Sequence, residues 1–594
     1  MHSLRELMRS YGKSSSFNKW ADARKIPKPD SKQPRSLHNI MGYYARPKLW
    51  GFADLHAHPA SHLAMGADAS GKGGILWGSP GLAYESSSID EDLRPCDAHI
   101  HSGFDADLVR FKHREGIFEP LSRYTPHGTC GCPSFDAWPH ASSLTHQQMH
   151  ISSIRRAWEG GLRLMIASVT DNELISLLWN RGANVHLNPF DNPSWPGPNP
   201  SFGFDSAVRQ LNFIHDLVNA NSSWIEIVTT SNEARQAVNN NKLAVILGVE
   251  MDALTAEQIL DLKDSLKVSQ VVPIHLANSS FGGVAVYDDL FNTNNWYLQG
   301  GSCFDGNDNH HIENFFCVET DPNLGFKIGS PQYLLMTKWN GSIEPQPVSD
   351  SDYAGLCVQG YSGVGHKNQQ GLNSSELMKL MKGGLMIDLA HMSEKSMQEA
   401  LTLSAQYSYP MMNTHTGMRL DNSSTYGNID ASERDISTSQ MARLTEFGGV
   451  IGIGTSGYRD KDGKPNGDQL EQWINTYFDM FNAMNGRGVS IGTDTNGLSP
   501  LIPCSSKSIK YPFKVFVSSS RDAYNYLPAS TMGTKTFDFS ADGLAHYGML
   551  ADFIAALREY DDKGADIADY FLFRTAEETI KMWEDVELSA GKLQ

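Results

Sequence analysis

Eight short β-rich runs constrain the fold of this 594-residue chain more than any other feature. They lie at 49–56, 161–169, 243–249, 268–276, 385–390, 409–414, 448–454 and 489–493. Leu243-Ala244-Val245-Ile246-Leu247-Gly248-Val249 has no polar side chain, which suits a strand buried on both faces in a parallel sheet. Helical patterns fall between several of them: Ser374–Met381 precedes the fifth run, Ser393 opens another after it, and Ser437–Leu444 leads into the seventh. Strands alternating with helices predict βα units, and eight of them predict an α/β fold of the (β/α)8 TIM-type barrel class.

Spacing along the chain is uneven. About a hundred residues separate the first strand from the second, and a similar number the fourth from the fifth. These Gly-, Asn-, Ser- and Pro-rich stretches (66–150 and 278–370), with 498–540 after the last strand, predict large loop insertions after strands 1, 4 and 8. Long connections of that kind are expected over the face where the strands end. Residues 1–40, polar and punctuated by Ile26-Pro27-Lys28-Pro29, predict an N-terminal arm, leaving 41–594 as a single barrel domain.

The strand ends carry the chemistry. The first run stops at Asp54-Leu55-His56-Ala57-His58, and alternation puts both imidazoles on one face. Glu250, His391, His415 and Asp494 end the third, fifth, sixth and eighth runs. Taken singly, each has an ordinary structural explanation, a helix cap or a hydrogen-bonded core histidine among them. Taken together, they converge at one mouth of a barrel, where such a cluster is costly without a cation. His275, near the end of the fourth run, suits either a metal or a developing oxyanion. A second pair, His99-Ile100-His101, lacks a preceding apolar run and reads as loop. Phe135–Pro139 and Thr145–Gln148 read either as lid material or as ordinary loop packing.

Composition removes other classes. A 40% hydrophobic content supplies a large core, so the chain is not disordered. The net charge of −18, without a basic tract, argues against a nucleic-acid partner. No uninterrupted apolar stretch approaches the ~20 residues of a membrane span, so no membrane partner is expected. The first residues lack a secretory h-region, so a cytoplasmic location is expected, with a removed presequence left open. Seven cysteines imply no disulfide framework, and Cys130-Gly131-Cys132 reads as two ordinary thiols rather than a metal or redox pair.

These motifs, in this order, resemble the renal (membrane) dipeptidase family of the amidohydrolase superfamily. The resemblance rests on Asp54-Leu55-His56-x-His58, Gly248-Val249-Glu250, His275 with Asn278, and Ile387-Asp388-Leu389-x-His391-x-Ser393. It continues through His415-Thr416, Arg434 in Ser432-Glu433-Arg434-Asp435-Ile436, Ile491-Gly492-Thr493-Asp494-x-x-Gly497 and a closing helix at Phe571–Glu587. The resemblance implies a binuclear zinc site, one ion on His56, His58 and Glu250 and the other on Glu250, His391 and His415. It implies a metal-bridging hydroxide as nucleophile, His275 on the carbonyl oxygen, Asp494 as proton carrier and Arg434 on the substrate carboxylate. The expected substrate is a small molecule or dipeptide, and a homodimer is left open. The family typically presents His-x-Asp on the first strand where this chain has His-x-His, which changes the charge of that metal site.

Two other readings stay open at this stage. The same metal site could serve a lactonase, esterase or phosphotriesterase; a deaminase is disfavoured because no suitably placed His-x-x-Glu is present. A non-catalytic binding barrel would be expected to show a broken ligand set, and every candidate position is filled.

Overall fold

Each of the eight expected runs forms a strand of one parallel sheet. We label them β1 (Phe52–Ala57), β2 (Leu162–Thr170), β3 (Leu243–Glu250), β4 (Val268–Val272), β5 (Met386–Ile387), β6 (Met412–Thr416), β7 (Val450–Gly454) and β8 (Val489–Gly492). Pairing runs β5-β4-β3-β2-β1-β8-β7-β6, and a parallel bridge between Asp388 and Met412 joins the two ends into a ring. A short strand, Ile225–Ile227, pairs alongside the start of β3. The computed structural model describes residues 49–93, 146–176, 201–285, 370–421, 432–457, 467–503, 507–517 and 523–593, apart from 68, 70, 72–73 and 174. Short pieces at 139, 141, 319–321, 365–367, 425–426 and 429–430 are also described. The expected arm at 1–40, His99 and His101, and Cys130 and Cys132 lie outside these residues.

Helices cover the ring: α1 (Ile151–Glu159), α2 (Phe204–Ala220), α3 (Ser231–Asn239), α4 (Ala256–Leu266), α5 (Ser374–Lys382), α6 (Glu394–Tyr407), α7 (Thr438–Glu446), α8 (Gln469–Ala483), α9 (Leu550–Tyr560) and α10 (Thr575–Leu593). Starts follow from the caps. Ser393 Oγ accepts from Ser396 N, and Ser437 with Gln440 forms a reciprocal capping box. All of β1, β2 and β3 is buried, as strands covered on one face by helices and on the other by the barrel interior must be. Each fully buried Val, Leu or Ile there contributes roughly 1.5–3 kcal/mol relative to exposure.

The closing helix expected at Phe571–Glu587 is α10, preceded by a tight turn at Leu572–Arg574. It seals the end of the barrel opposite the strand C-termini. Thr575 Oγ1 accepts from Ala53 N, and Glu577 accepts from Leu49 N and from Arg235. Among the described residues, no helix is long and apolar enough to cross a membrane.

Two expectations need correction. The run at 385–390 pairs as a strand only over Met386–Ile387, because the Asp388 carboxylate turns inward and accepts from Ala390 N and Thr414 N. The insertion after β8 does not simply cover the mouth. Its hairpin, Phe513–Phe516 with Tyr524–Leu527, descends the outside of the barrel, where Phe516 O accepts from the Trp50 indole below β1.

Two glycines allow the interior to close. A Cβ at Gly492 would lie 1.8 Å from the carbonyl oxygen of Thr414, and one at Gly452 1.9 Å from it. Those contacts are backbone and cannot give way. Gly492→Ala is therefore expected to cost at least the roughly 1–3 kcal/mol typical of overpacking, read as a lower urea midpoint without loss of cooperativity.

Outside the mouth, His546 is fully buried between Ser153 Oγ (3.1 Å) and Ser530 Oγ (3.0 Å). Burial, with Arg156 and His150 adding repulsion, holds its imidazole well below the usual range. A depressed folded pKa means that, below about pH 6.5, the unfolded chain takes up a proton the folded one refuses. This histidine thus makes stability fall with falling pH, by up to about 1.4 kcal/mol per unit. His546→Gln should shrink the difference between urea midpoints at pH 7.5 and 5.5; an unchanged difference would contradict the assignment.

Candidate metal centre

The mouth assembles from strand ends. β1 supplies His56 near its end and His58 just past it; β3 ends on Glu250; His391 follows β5; and His415 lies in β6. All five are buried. His56 Nε2 and His58 Nε2 stand 3.2 and 3.4 Å from Glu250 Oε2, whereas His391 Nε2 and His415 Nε2 stand 3.4 and 3.7 Å from Oε1. Each oxygen of one carboxylate thus faces its own imidazole pair. Two triads result, His56–His58–Glu250 and Glu250–His391–His415, with ligand atoms within 4.8 Å of one another in each.

The remaining expected residues surround this hub. His275 Nε2 lies 3.7 Å from Glu250 Oε2, and Asp252 fixes its backbone by accepting from His275 N and Leu276 N. Asp494 Oδ1 lies 3.2 Å from His58 Nε2. Arg434 Nη2 reaches the carbonyl oxygen of His415 at 3.5 Å. His58, Glu250, His275, His391, His415, Arg434 and Asp494 all line one open pocket of ≈ 530 Å³, with His56 beneath it. Asn278 stands apart from the ligands; its amide bonds Val284 N and Gln370. Of the segment read as lid or loop, Phe135–Trp138 and Thr145 lie outside the described residues. His146–Gln148 are buried packing: Gln147 Oε1 accepts from Asn496 Nδ2, and Gln148 N donates to Asn496 Oδ1.

Sequence reasoning missed the device that orients the imidazoles. His58 Nδ1 lies 2.9 Å from the Ser168 carbonyl oxygen, so Nδ1 carries the proton and Nε2 is left bare toward the centre. Thr414 Oγ1 does the same for two rings at once, lying 3.1 Å from His56 Nδ1 and 3.2 Å from His415 Nδ1. Its own proton goes to the Asp388 carboxylate, which Gln270 Nε2 and the Ala390 and Thr414 amides also hold. One hydroxyl therefore sets a tautomer in each triad. Asp388 sits inside a legible motif and Thr414 beside a ligand, but their joint role exists only once β5 and β6 close the ring.

Electrostatics match a cation site. Burial opposes charge on Glu250, yet His275 and His56 hold its carboxyl well below the usual range. Burial also opposes charge on His56, and Glu250, then Asp494 and Asp388, outweigh it and lift His56 to about 9. Burial and the Arg434 guanidinium push His391 down to about 3, and burial with His56 and Arg434 keeps His415 well below its ordinary value. His391 Nε2 and His415 Nε2 nevertheless face each other at 2.8 Å. Two neutral nitrogens at that separation, beside a carboxylate oxygen beyond good hydrogen-bond length, are a donor set that a divalent ion satisfies. His391 and Asp494 hold left-handed backbones (φ 64° and 51°), a conformation of non-glycine residues that clusters at functional sites.

Thr414→Val removes the shared acceptor and should weaken metal binding in both triads by roughly 10–100-fold. Competition against a chromophoric chelator would read this, and Thr414→Ser should restore it; loss confined to one triad would contradict the shared role.

No protein-family model matches this sequence, and no curated protein sequence does. Among solved structures, it is similar to a metallopeptidase from Rhodobacter sphaeroides liganded with a phosphinate mimic of the dipeptide L-Ala-D-Ala, at 14% identity and TM-score 0.42 over 82% of this chain and 97% of that one. It is also similar to a dipeptidase of metallopeptidase family M19 (14%, TM-score 0.40, 73% and 88%) and an amidohydrolase from Pseudomonas aeruginosa (12%, 0.38, 73% and 92%). At these values the likeness decides neither metal nor substrate, and the chemistry rests on the side chains themselves.

Proposed function

We propose that this chain is a metal-dependent amidohydrolase of dipeptidase type that hydrolyses a small peptide or amide bond, with two zinc ions on His56–His58–Glu250 and Glu250–His391–His415. The observation that carries this reading is the buried Glu250 carboxylate, each of whose oxygens faces a separate imidazole pair. Imidazole nitrogens and a carboxylate are zinc's usual nitrogen and oxygen donors. Bound there, such ions supply Lewis acidity and lower the pKa of water to near neutrality.

The chain's own groups supply the rest. Arg434 pairs with a substrate carboxylate through its planar fork, an anchor that a neutral lactone or phosphotriester could not use. His275 hydrogen-bonds the carbonyl oxygen as charge develops there. Asp494, 18% exposed at the pocket wall and braced against His58, takes a proton from the attacking water and returns it to the leaving amine.

Metal analysis of the purified protein should give about two ions per chain, and Glu250→Ala should lose both ions and hydrolysis. A panel of dipeptides, lactones and phosphotriesters separates the chemistries. Turnover confined to lactones or phosphotriesters would replace the peptide reading, and no metal uptake from added zinc would end it.

A further inference from the structure

One side of the pocket is neither charged nor part of the barrel core. Ala64, Met65, Ile75, Ile175 and Leu276 form an apolar cluster separate from the main core, with Leu498 packed against it. Four of these side chains, Met65, Ile175, Leu276 and Leu498, line the same pocket as the ligands. The loops after β1 and β2 that carry the first two are stapled together. Asp171 Oδ1 accepts from Met65 N, Asn172 N and Ser176 Oγ, and Ser176 Oγ accepts from Gly66 N. This face is therefore built rather than incidental.

Leu498 supplies an independent sign. Its backbone is left-handed (φ 60°), a conformation that is strained for a branched side chain and costs glycine little. A leucine in that position contributes something glycine cannot, and what it adds is an apolar surface on the pocket.

Ring order fixes how the wall relates to the anchor. Ile175 follows β2 and Met65 follows β1, whereas Arg434 follows β6, the strand diametrically opposite β2. The Glu250 centre lies between. We infer that the substrate spans the mouth with its carboxylate on Arg434, its scissile amide over Glu250 and an apolar acyl group against Met65, Ile175, Leu276 and Leu498. The substrate class is then an amino acid acylated by an apolar group, either an apolar first residue of a dipeptide or an N-acyl chain. This rests on the amidohydrolase reading above.

The test compares Gly-Gly, Leu-Gly and 4-methylpentanoyl-glycine, which is Leu-Gly without its amine, in the zinc-loaded full chain. Leu-Gly should exceed Gly-Gly in kcat/KM by roughly tenfold or more, the usual worth of a few methylenes in an apolar pocket. Comparable turnover of 4-methylpentanoyl-glycine assigns the site to acyl groups in general, whereas turnover of Leu-Gly alone assigns it to dipeptides. Leu498→Gly, which relieves the backbone, should fold with undiminished stability yet shrink the Leu/Gly ratio, and Met65→Ser should do the same. The dissociation constants of the ketomethylene analogues of Leu-Gly and Gly-Gly, measured by calorimetry, should show the same preference and the same loss. Hydrolysis without preference, or a ratio unmoved in both variants, would overturn this inference and leave the amidohydrolase reading intact. Failure of the metal-loaded chain to hydrolyse any of these amides would overturn both.

Discussion

A single carboxylate buried among imidazoles organises this protein's mouth. Glu250 ends a strand that is otherwise apolar, and burial alone would push its proton on rather than off. His275 and then His56 outweigh that push and hold the carboxyl well below its usual range, while His56 and His58 approach one oxygen and His391 and His415 the other. Those four rings arrive from three other strands or their ends, so the hub exists only when the ring is closed and in register. Moving β1 by one residue would turn both of its histidines away from the interior. The chemistry and the barrel's register are thus one constraint seen from two sides.

Beneath the hub, two more buried carboxylates replace backbone pairing. Asp388 accepts the amides of Ala390 and Thr414, and Asp54 accepts those of His56 and Thr493 together with the Thr493 hydroxyl. Burial pushes both carboxyls up to about 6, against the hydrogen bonds that pull them down. They hold strand ends where ladder hydrogen bonds give out, which is why β5 is so short. Gly452 and Gly492 complete the arrangement by letting the Thr414 carbonyl pass where a side chain would block it.

What the sequence reveals and conceals follows from range. The eight strands were legible because each is a local apolar run, and the metal-competent residues because each terminates such a run. Thr414 was not legible as a shared acceptor, since a threonine beside a histidine has many local explanations and its partners come from β1 and β5. The descent of the 513–527 hairpin toward Trp50 was equally hidden, because loop composition carries no direction. The apolar wall escaped for a third reason. Met65, Ile175, Leu276 and Leu498 lie in four separate loops with no shared period, and only their common pocket makes them a face.

The loop after β8 joins these themes. Asp494, Asn496 and Leu498 all hold left-handed backbones, an accumulation of strain for non-glycine residues. The strain is offset by contacts on both sides of Asn496, whose amide donates to the His58 carbonyl and to Gln147 and whose oxygen accepts from Gln148 N. Asp494 N in turn donates to the His56 carbonyl, so the loop is an extension of β1's own ligand segment. One end of it sets a carboxylate against His58 and the other sets Leu498 into the apolar wall. A Cβ at Gly497, between them, would lie 1.8 Å from Asp494 Oδ1, so a side chain there would displace that carboxylate. If Asp494 handles the proton and Leu498 helps to select the acyl group, as proposed, both roles share one hydrogen-bonded loop, and a change that relaxes Leu498 acts four residues from that carboxylate.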